Sequence, residues 1–277
     1  MIRLERHGDV TRLRMSTWRS RSIGYEVSAY FAHGTLVDCG FPAVARALAP
    51  AIRDLRPDGA VITHGHEDHA GNVAVLARLG IPVWMSAETL AELRAGCRIR
   101  AYRRFTWGQP RPFADAVEPY DPRPLQIIPA PGHCPDHHVV WDAARGILYS
   151  ADLWLGVHAR VMHLEEDPRR LVRDLRAAAA LAPERMFDAH RGPVRDPVRA
   201  LNAKADWLDE TIAVVERRVR DGWSDRVILR AVLGGEELTG FVSRGEYARA
   251  NLVRSVRAGM TGASARDSST SSAPGHR

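Results

Sequence analysis

Lysine is almost missing from this chain: of 39 basic residues, 38 are arginine and one, Lys204, is lysine. The net charge of +6 and the pI near 9.7 would by themselves suit an acidic partner such as nucleic acid. In an alanine-rich chain, however, so complete a replacement of lysine by arginine is the mark of GC-rich codon usage. No long basic run is present, and no basic stripe interleaved with aromatics outside residues 98 to 107, so the charge carries little weight. Cysteine is scarce too. Cys39, Cys97 and Cys134 are far apart and form no CxxC pair, which excludes a disulfide framework and leaves reduced thiols as the default. No apolar run approaches the length of a membrane span. The first ten residues, MIRLERHGDV, are charged and lack an apolar core, so no secretory signal is visible and a cytoplasmic location is expected. There is no internal repeat. What remains is a chain of 277 residues, 45% hydrophobic, suited to one sizeable domain or to one domain with a helical appendage.

Strand-like and helical stretches alternate along it. Residues 23 to 39 alternate apolar and polar around His33-Gly34 and predict a hairpin. A short helix is expected over 42 to 54, and a buried strand over 59 to 63, GAVIT. Residues 71 to 80 have helical periodicity, 81 to 85 suit a strand, and 86 to 96 suit a helix capped by Ser86. Residues 97 to 122 hold four prolines and many arginines, and predict a long loop or lid. A strand at 125 to 130, a hairpin around 143 to 146, a helix over 168 to 182 with Pro168 in its first turn, and a short strand before His190 complete the first part. A long amphipathic helix then starts at Pro197, with one or two more to about 258. The domain limits expected are 1–195, a C-terminal helical region at 196–260, and a small polar, disordered tail at 261–277.

The densest chemistry lies in THGHEDHAGN, residues 63 to 72. His64 and His66, two apart after a strand, project to the same side of extended backbone. Asp68 and His69 follow where the chain turns into a helix and can face a neighbouring position. Imidazole and carboxylate in this pattern, H-x-H-x-D-H, are metal ligands by type. A solvated polar loop would not need such density. Three further elements end strands: APGHCPDH with His133, YSADL with Asp152, and DAHRGP with His190. A carboxylate ending an apolar strand is costly unless paired.

In this order the four elements resemble the metallo-β-lactamase fold superfamily, over about residues 10 to 195. The resemblance implies an α/β fold, a four-layer αββα sandwich with a C-terminal helical appendage. It implies that His64, His66 and His133 hold a first metal, that Asp68, His69 and His190 hold a second, and that Asp152 bridges them. Two divalent ions are thus the implied cofactor, zinc first, with iron or manganese also suited to these ligands. Asp38, after TLV, matches an outer acid common in the superfamily; a plain turn residue is the equal alternative.

Asp152 and the lack of a visible signal set true β-lactamases aside, and His66 stands where flavo-diiron proteins carry Glu. The site instead looks like that of glyoxalase II, the lactonases and ribonuclease Z. Only 18 residues, 134 to 151, separate His133 from Asp152, too few for an inserted nuclease domain. The activity implied is hydrolysis of an ester, thioester or lactone by a metal-bound hydroxide, with Asp68 and Asp152 as catalytic carboxylates that orient it and take its proton. A phosphodiesterase or nuclease, a mononuclear-iron sulfur dioxygenase, and a non-catalytic binding module are the alternatives. The partner expected is a small-molecule substrate, with nucleic acid disfavoured, no membrane, and a homodimer through the C-terminal helices left open. Cys134 is expected to pack. His137 and His138 are expected near the ligands or in a strand, and His158 and His163 along the pocket. The cluster Arg98, Arg100, Tyr102, Arg103 and Arg104 suits a solvated loop, with an anion contact as the alternative.

Overall fold

The computed structural model describes residues 1–96 and 99–269. Cys97, Arg98 and residues 270–277 lie outside the described residues. Six strands form a first sheet in chain order: β1 (Ile2–His7), β2 (Val10–Met15), β3 (Val27–Ala32), β4 (Thr35–Val37), β5 (Gly59–Val61) and β6 (Val83–Trp84). Pairing is antiparallel from β1 to β4 and parallel from β4 to β6. Along the same stretch run α1 (Trp18–Ser22), α2 (Ala45–Leu55), α3 (Val73–Arg78), α4 (Ala87–Ala95) and α5 (Ala101–Trp107). The second sheet has the order β12-β11-β9-β8-β7, with β7 (Gln126–Pro129), β8 (His138–Asp142), β9 (Ile147–Ala151), β11 (Arg185–Asp188) and β12 (Gly192–Val194).

Period-2 patterning gives each sheet two apolar faces, and the molecule buries all four. Tyr30, Val37, Val61, Val140, Tyr149 and Phe187 pack together between the sheets. Leu13, Leu36, Leu48, Ile52 and Leu76 join the first sheet to its helices. On the second sheet, Val139 and Leu148 meet α6 (Pro168–Ala180) and α7 (Pro197–Arg220) through Leu171, Leu175, Leu201 and Leu208. Helix, sheet, sheet, helix is the αββα sandwich that the motifs imply.

The C-terminal region adds α8 (Asp225–Leu233), α9 (Leu238–Val242) and α10 (Ala250–Ser269). A two-stranded ribbon, β10 (Met162–His163) with β13 (Tyr247–Ala248), ties it to the segment that follows Asp152. α10 is described to Ser269, so helix covers the first residues of the expected disordered tail.

Two elements differ from the sequence expectation. The lid at 97–122 contains α5, whose buried residues include Arg103 and Thr106. A helix that turns polar residues inward has no apolar stripe to betray it. The hairpin β1–β2 arises from a segment noted above only for its charge. Its arginines and glutamates pair across strands, Arg12 and Arg14 with Glu5, which lets a highly charged sequence run as strand.

Candidate metal centre

Each ligand candidate sits at the end of a strand or in the turn beyond it. β5 ends at Val61, and Thr63 to His69 form the loop before α3. His133 lies between β7 and β8, Asp152 directly after β9, and His190 between β11 and β12. Strands from both sheets thus deliver their loops to one edge of the sandwich, where α/β folds place their sites.

All seven candidate ligands meet there. The ligating atoms of His64, His66, His133 and Cys134 lie within 4.8 Å of one another, as do those of Asp68, His69 and His190 and those of His64, His69 and Asp152. Asp152 stands between the two sets. Its Oδ1 is 3.3 Å from His69 Nε2 and 3.4 Å from His190 Nε2, while its Oδ2 is 3.5 Å from His133 Nε2. His66 Nδ1 is 3.3 Å from His133 Nε2, and His190 Nε2 is 3.5 Å from Asp68 Oδ2. Donors around a tetrahedral zinc with bonds near 2.0–2.1 Å stand about 3.4 Å apart, and these separations match that edge.

The outward nitrogens tell the same story. Asp38, with φ of 63°, turns its carboxylate inward. It accepts from the Thr63 hydroxyl and backbone N–H and, at 2.8 Å, from His69 Nδ1. With the Thr63 hydroxyl committed to Asp38, His64 Nδ1, 3.0 Å away, is the donor to Thr63 Oγ1. His190 Nδ1 donates to the Glu26 carbonyl at 2.7 Å, and His133 Nδ1 faces Glu166 Oε1 at 3.1 Å. Four rings therefore commit their outer nitrogen to an acceptor and turn Nε2 inward, where a bound cation would take the place of a proton. Orientation of this kind by an outer acceptor is what metal-binding histidines require.

Three inward atoms have no hydrogen-bond partner among the described residues although they are buried: His64 Nε2, His69 Nε2 and Asp152 Oδ1. Each buried, unsatisfied polar atom costs about 1–3 kcal/mol. Three at one point fit a cation that all of them would bind. The charge balance agrees. Burial alone would push the Asp152 carboxyl up, but the His69 and His190 imidazoles hold it well below the usual carboxylate range. Burial would lower His190, yet the charges of Asp152 and Asp68 raise it to about 9. Burial, with His69 and His66 beside it, keeps His64 well below an ordinary histidine and so neutral, as a ligand must be.

Other residues hold the loops. Asp136 accepts from the Gly65 N–H at 2.7 Å and from the Thr89 hydroxyl at 2.7 Å, fixing the backbone between His64 and His66. His137 donates from Nδ1 to the Ala130 carbonyl, and its Nε2 accepts the Asp152 N–H at 3.2 Å. Asp188 accepts from the N–H groups of Leu155, His190 and Arg191. Lys204 is buried and donates to the carbonyls of Leu153 and Trp154. Asp136, Asp188 and Glu166 escaped the sequence reading. An acid two residues before or three after a candidate histidine, as in DAHRGP and HCPD, was the available signal.

The remaining candidates divide. Cys134 lies beside the first set and donates to Asp136 Oδ1 at 3.1 Å; burial and that carboxylate push its thiol up, so it stays protonated. His163 stands at the site, its ring 5.5 Å from that of His66, whereas His158 is exposed against Trp207. His138 is in β8, and its Nδ1 donates to the Asp136 carbonyl at 2.7 Å. Arg103 is not solvated. It is buried between Glu67, the residue between His66 and Asp68, and Glu246 from the C-terminal region. Arg100 and Tyr102 also contact Glu246.

The family description "Metallo-beta-lactamase superfamily" matches residues 26–208. The chain belongs to that superfamily. The relative "Beta-lactamase-like protein 2 homolog" of Caenorhabditis elegans is 28% identical over 214 residues, covering 74% of this chain and 63% of the relative. The match thus spans less than two thirds of that relative's length. Among solved structures, a metallo-beta-lactamase family protein from Thermus thermophilus matches over 90% of this chain and 91% of its own, with a TM-score of 0.61 at 16% identity. The metallo-beta-lactamase FIM-1 of Pseudomonas aeruginosa, in its mono-zinc form, covers 76% of this chain and 95% of its own, with a TM-score of 0.57 at 18% identity. At these identities the likeness concerns the fold, and the fit of the metal rests on the donors described above.

Proposed function

We propose that this metal-dependent hydrolase of the metallo-beta-lactamase superfamily holds two divalent ions, zinc first, and cleaves an ester, thioester or lactone in a small molecule. The observation that carries the reading is Asp152, whose two oxygens face different histidine sets at 3.3 to 3.5 Å while one of them has no partner. His64, His66 and His133 would hold one ion; Asp68, His69 and His190 the other; Asp152 would be shared. Bound there, the ions supply Lewis acidity and lower the pKa of water toward neutrality.

The protein's own part is to orient, to wall off and to move a proton. His66 and His190 are the most exposed of the seven, so substrate enters between them. His163 and Tyr247 meet at a tilt, their ring centres 4.6 Å apart, and wall the His66 side, with the Arg103 guanidinium over the Tyr247 ring. Trp107 lies 6.4 Å from His190 on the other side. Asp68, with one oxygen 3.5 Å from His190 and its side chain a tenth exposed, is placed to take the proton of an attacking water and pass it to the leaving group.

The test is elemental analysis of the untagged chain, then ester, thioester, lactone and phosphodiester panels before and after chelation. About two zinc ions per chain with chelator-sensitive turnover of a carbonyl substrate supports the reading. Turnover of the phosphodiester alone would move it to phosphoryl chemistry. One iron per chain with oxygen uptake on a persulfide would replace it with sulfur oxidation.

A further inference from the structure

Two carboxylates stand behind the first histidine set, and neither belongs to a ligand motif. Glu166 Oε1 is 3.1 Å from His133 Nδ1, with its side chain one-tenth exposed. Glu165 Oε2 is 3.9 Å from His66 Nε2 and 3.6 Å from His163 Nδ1, and is more than half exposed. The segment that carries them is clamped on two sides. Toward the site, the Asp167 N–H donates to the Gly132 carbonyl at 2.9 Å, next to His133. A Cβ on Gly132 would fall 2.5 Å from the Leu171 nitrogen, so the first turn of α6 lies directly on the loop that holds His133. Toward the C-terminal region, β10 pairs with β13, and the Leu164 N–H donates to the Glu246 carbonyl at 3.1 Å. The Asn251 amide spans the join, donating to the carbonyls of Met162 and Gly245, each at 2.9 Å, and of Glu246.

Resting on the reading of the site as a metal pair, we propose that Glu166 is a positioning residue for the first metal, fixing His133, and that the C-terminal region sets it in place through the β10–β13 join. An outer carboxylate fixes the ring's tautomer and angle and makes its inner nitrogen a stronger donor. His64 and His190 give their outer N–H to neutral oxygens, Thr63 Oγ1 and the Glu26 carbonyl. His69 and His133 alone among the five give theirs to a carboxylate within hydrogen-bond distance, buried Asp38 and partly buried Glu166. Each half of the centre thus has one histidine braced by charge. The C-terminal helices then do more than cover the pocket: they carry the frame from which one brace reaches in.

The experiment uses the full chain, stripped of metal and titrated with zinc against a competing chelator, with the cobalt absorption spectrum as a second readout. Glu166→Gln keeps size and acceptor oxygen but loses the charge. It is expected to weaken one ion about 10–100-fold and leave the other unchanged. Glu165→Gln, a half-exposed pair, should change either affinity by less than about fivefold. Asp38→Asn should weaken the other ion, so that its cobalt spectrum loses the bands that Glu166→Gln keeps. Wild-type affinity for both ions in Glu166→Gln, or equal weakening of both, would overturn the brace. A drop in the melting temperature of metal-free Glu166→Gln large enough to explain the weakened binding would overturn it as well. A wild-type chain that takes up neither zinc nor cobalt would overturn the metal reading itself.

Discussion

Asp38 and Glu166 face His69 and His133 in the same way, yet they come from different parts of the molecule. Asp38 directly follows β4 and is locked by Thr63 from the neighbouring β5 loop. Its position follows from sheet pairing alone. Glu166 sits 33 residues after His133, on a segment held by a ribbon strand and an asparagine from beyond residue 240. One half of the centre is therefore built within the sandwich. The other depends on the C-terminal region docking correctly. Metal affinity at the two halves should respond to different mutations, and four variants test that division.

Asp152 belongs to both halves, so Asp152→Ala should erase the distinction. Hydrolysis should fall by more than the ~10–100-fold typical of an outer residue, and zinc analysis should show both ions weakened. Arg103→Met removes the cation buried between Glu67 and Glu246. Buried Glu67 then loses its cation, while Glu246 keeps Arg100 and Tyr102, and unfolding by urea should show a loss of about 3–5 kcal/mol. Asp38→Asn confines the damage to the half built within the sandwich. Calorimetric zinc titration should show one site weaker by about 1.4–2.7 kcal/mol, which is ~10–100-fold. Asn251→Ala is the mildest. Lost hydrogen bonds at the ribbon should cost about 1–2 kcal/mol of stability, and only the ion at His133 should exchange faster when followed by chelator competition. If Asn251→Ala instead loosens both ions equally, the C-terminal region does not serve one half in particular.

Arg103 shows where composition misled. An arginine run in a proline-rich stretch suggests a solvated loop, because charge is normally left in water. Here Glu67, inside the histidine motif, and Glu246, in the C-terminal region, meet one guanidinium and make burial tolerable. Neither partner can be inferred from the local sequence, since they lie 36 positions before and 143 after it. The hairpin β1–β2 escaped for a related reason, its charges being paired only across strands.

The candidate ligand set is legible because it obeys local rules. Histidines two apart after a short apolar run, and single acids or histidines at strand ends, can be picked out wherever strand length and turn residues are readable. The helix limits followed likewise, from Ser86, whose oxygen accepts the Thr89 N–H, to Pro168 in the first turn of α6. Of the acceptors behind the candidate ligands, sequence supplies only Asp38, as one of two equal readings. Asp136, Glu166 and Asp188 act on atoms brought near by packing of the two sheets and the C-terminal region. The chain by itself determined which side chains could bind metal, because that is a matter of residue type and short spacing. Tertiary structure alone decided which nitrogen each ring turns inward, because that depends on an outer partner far away in the sequence.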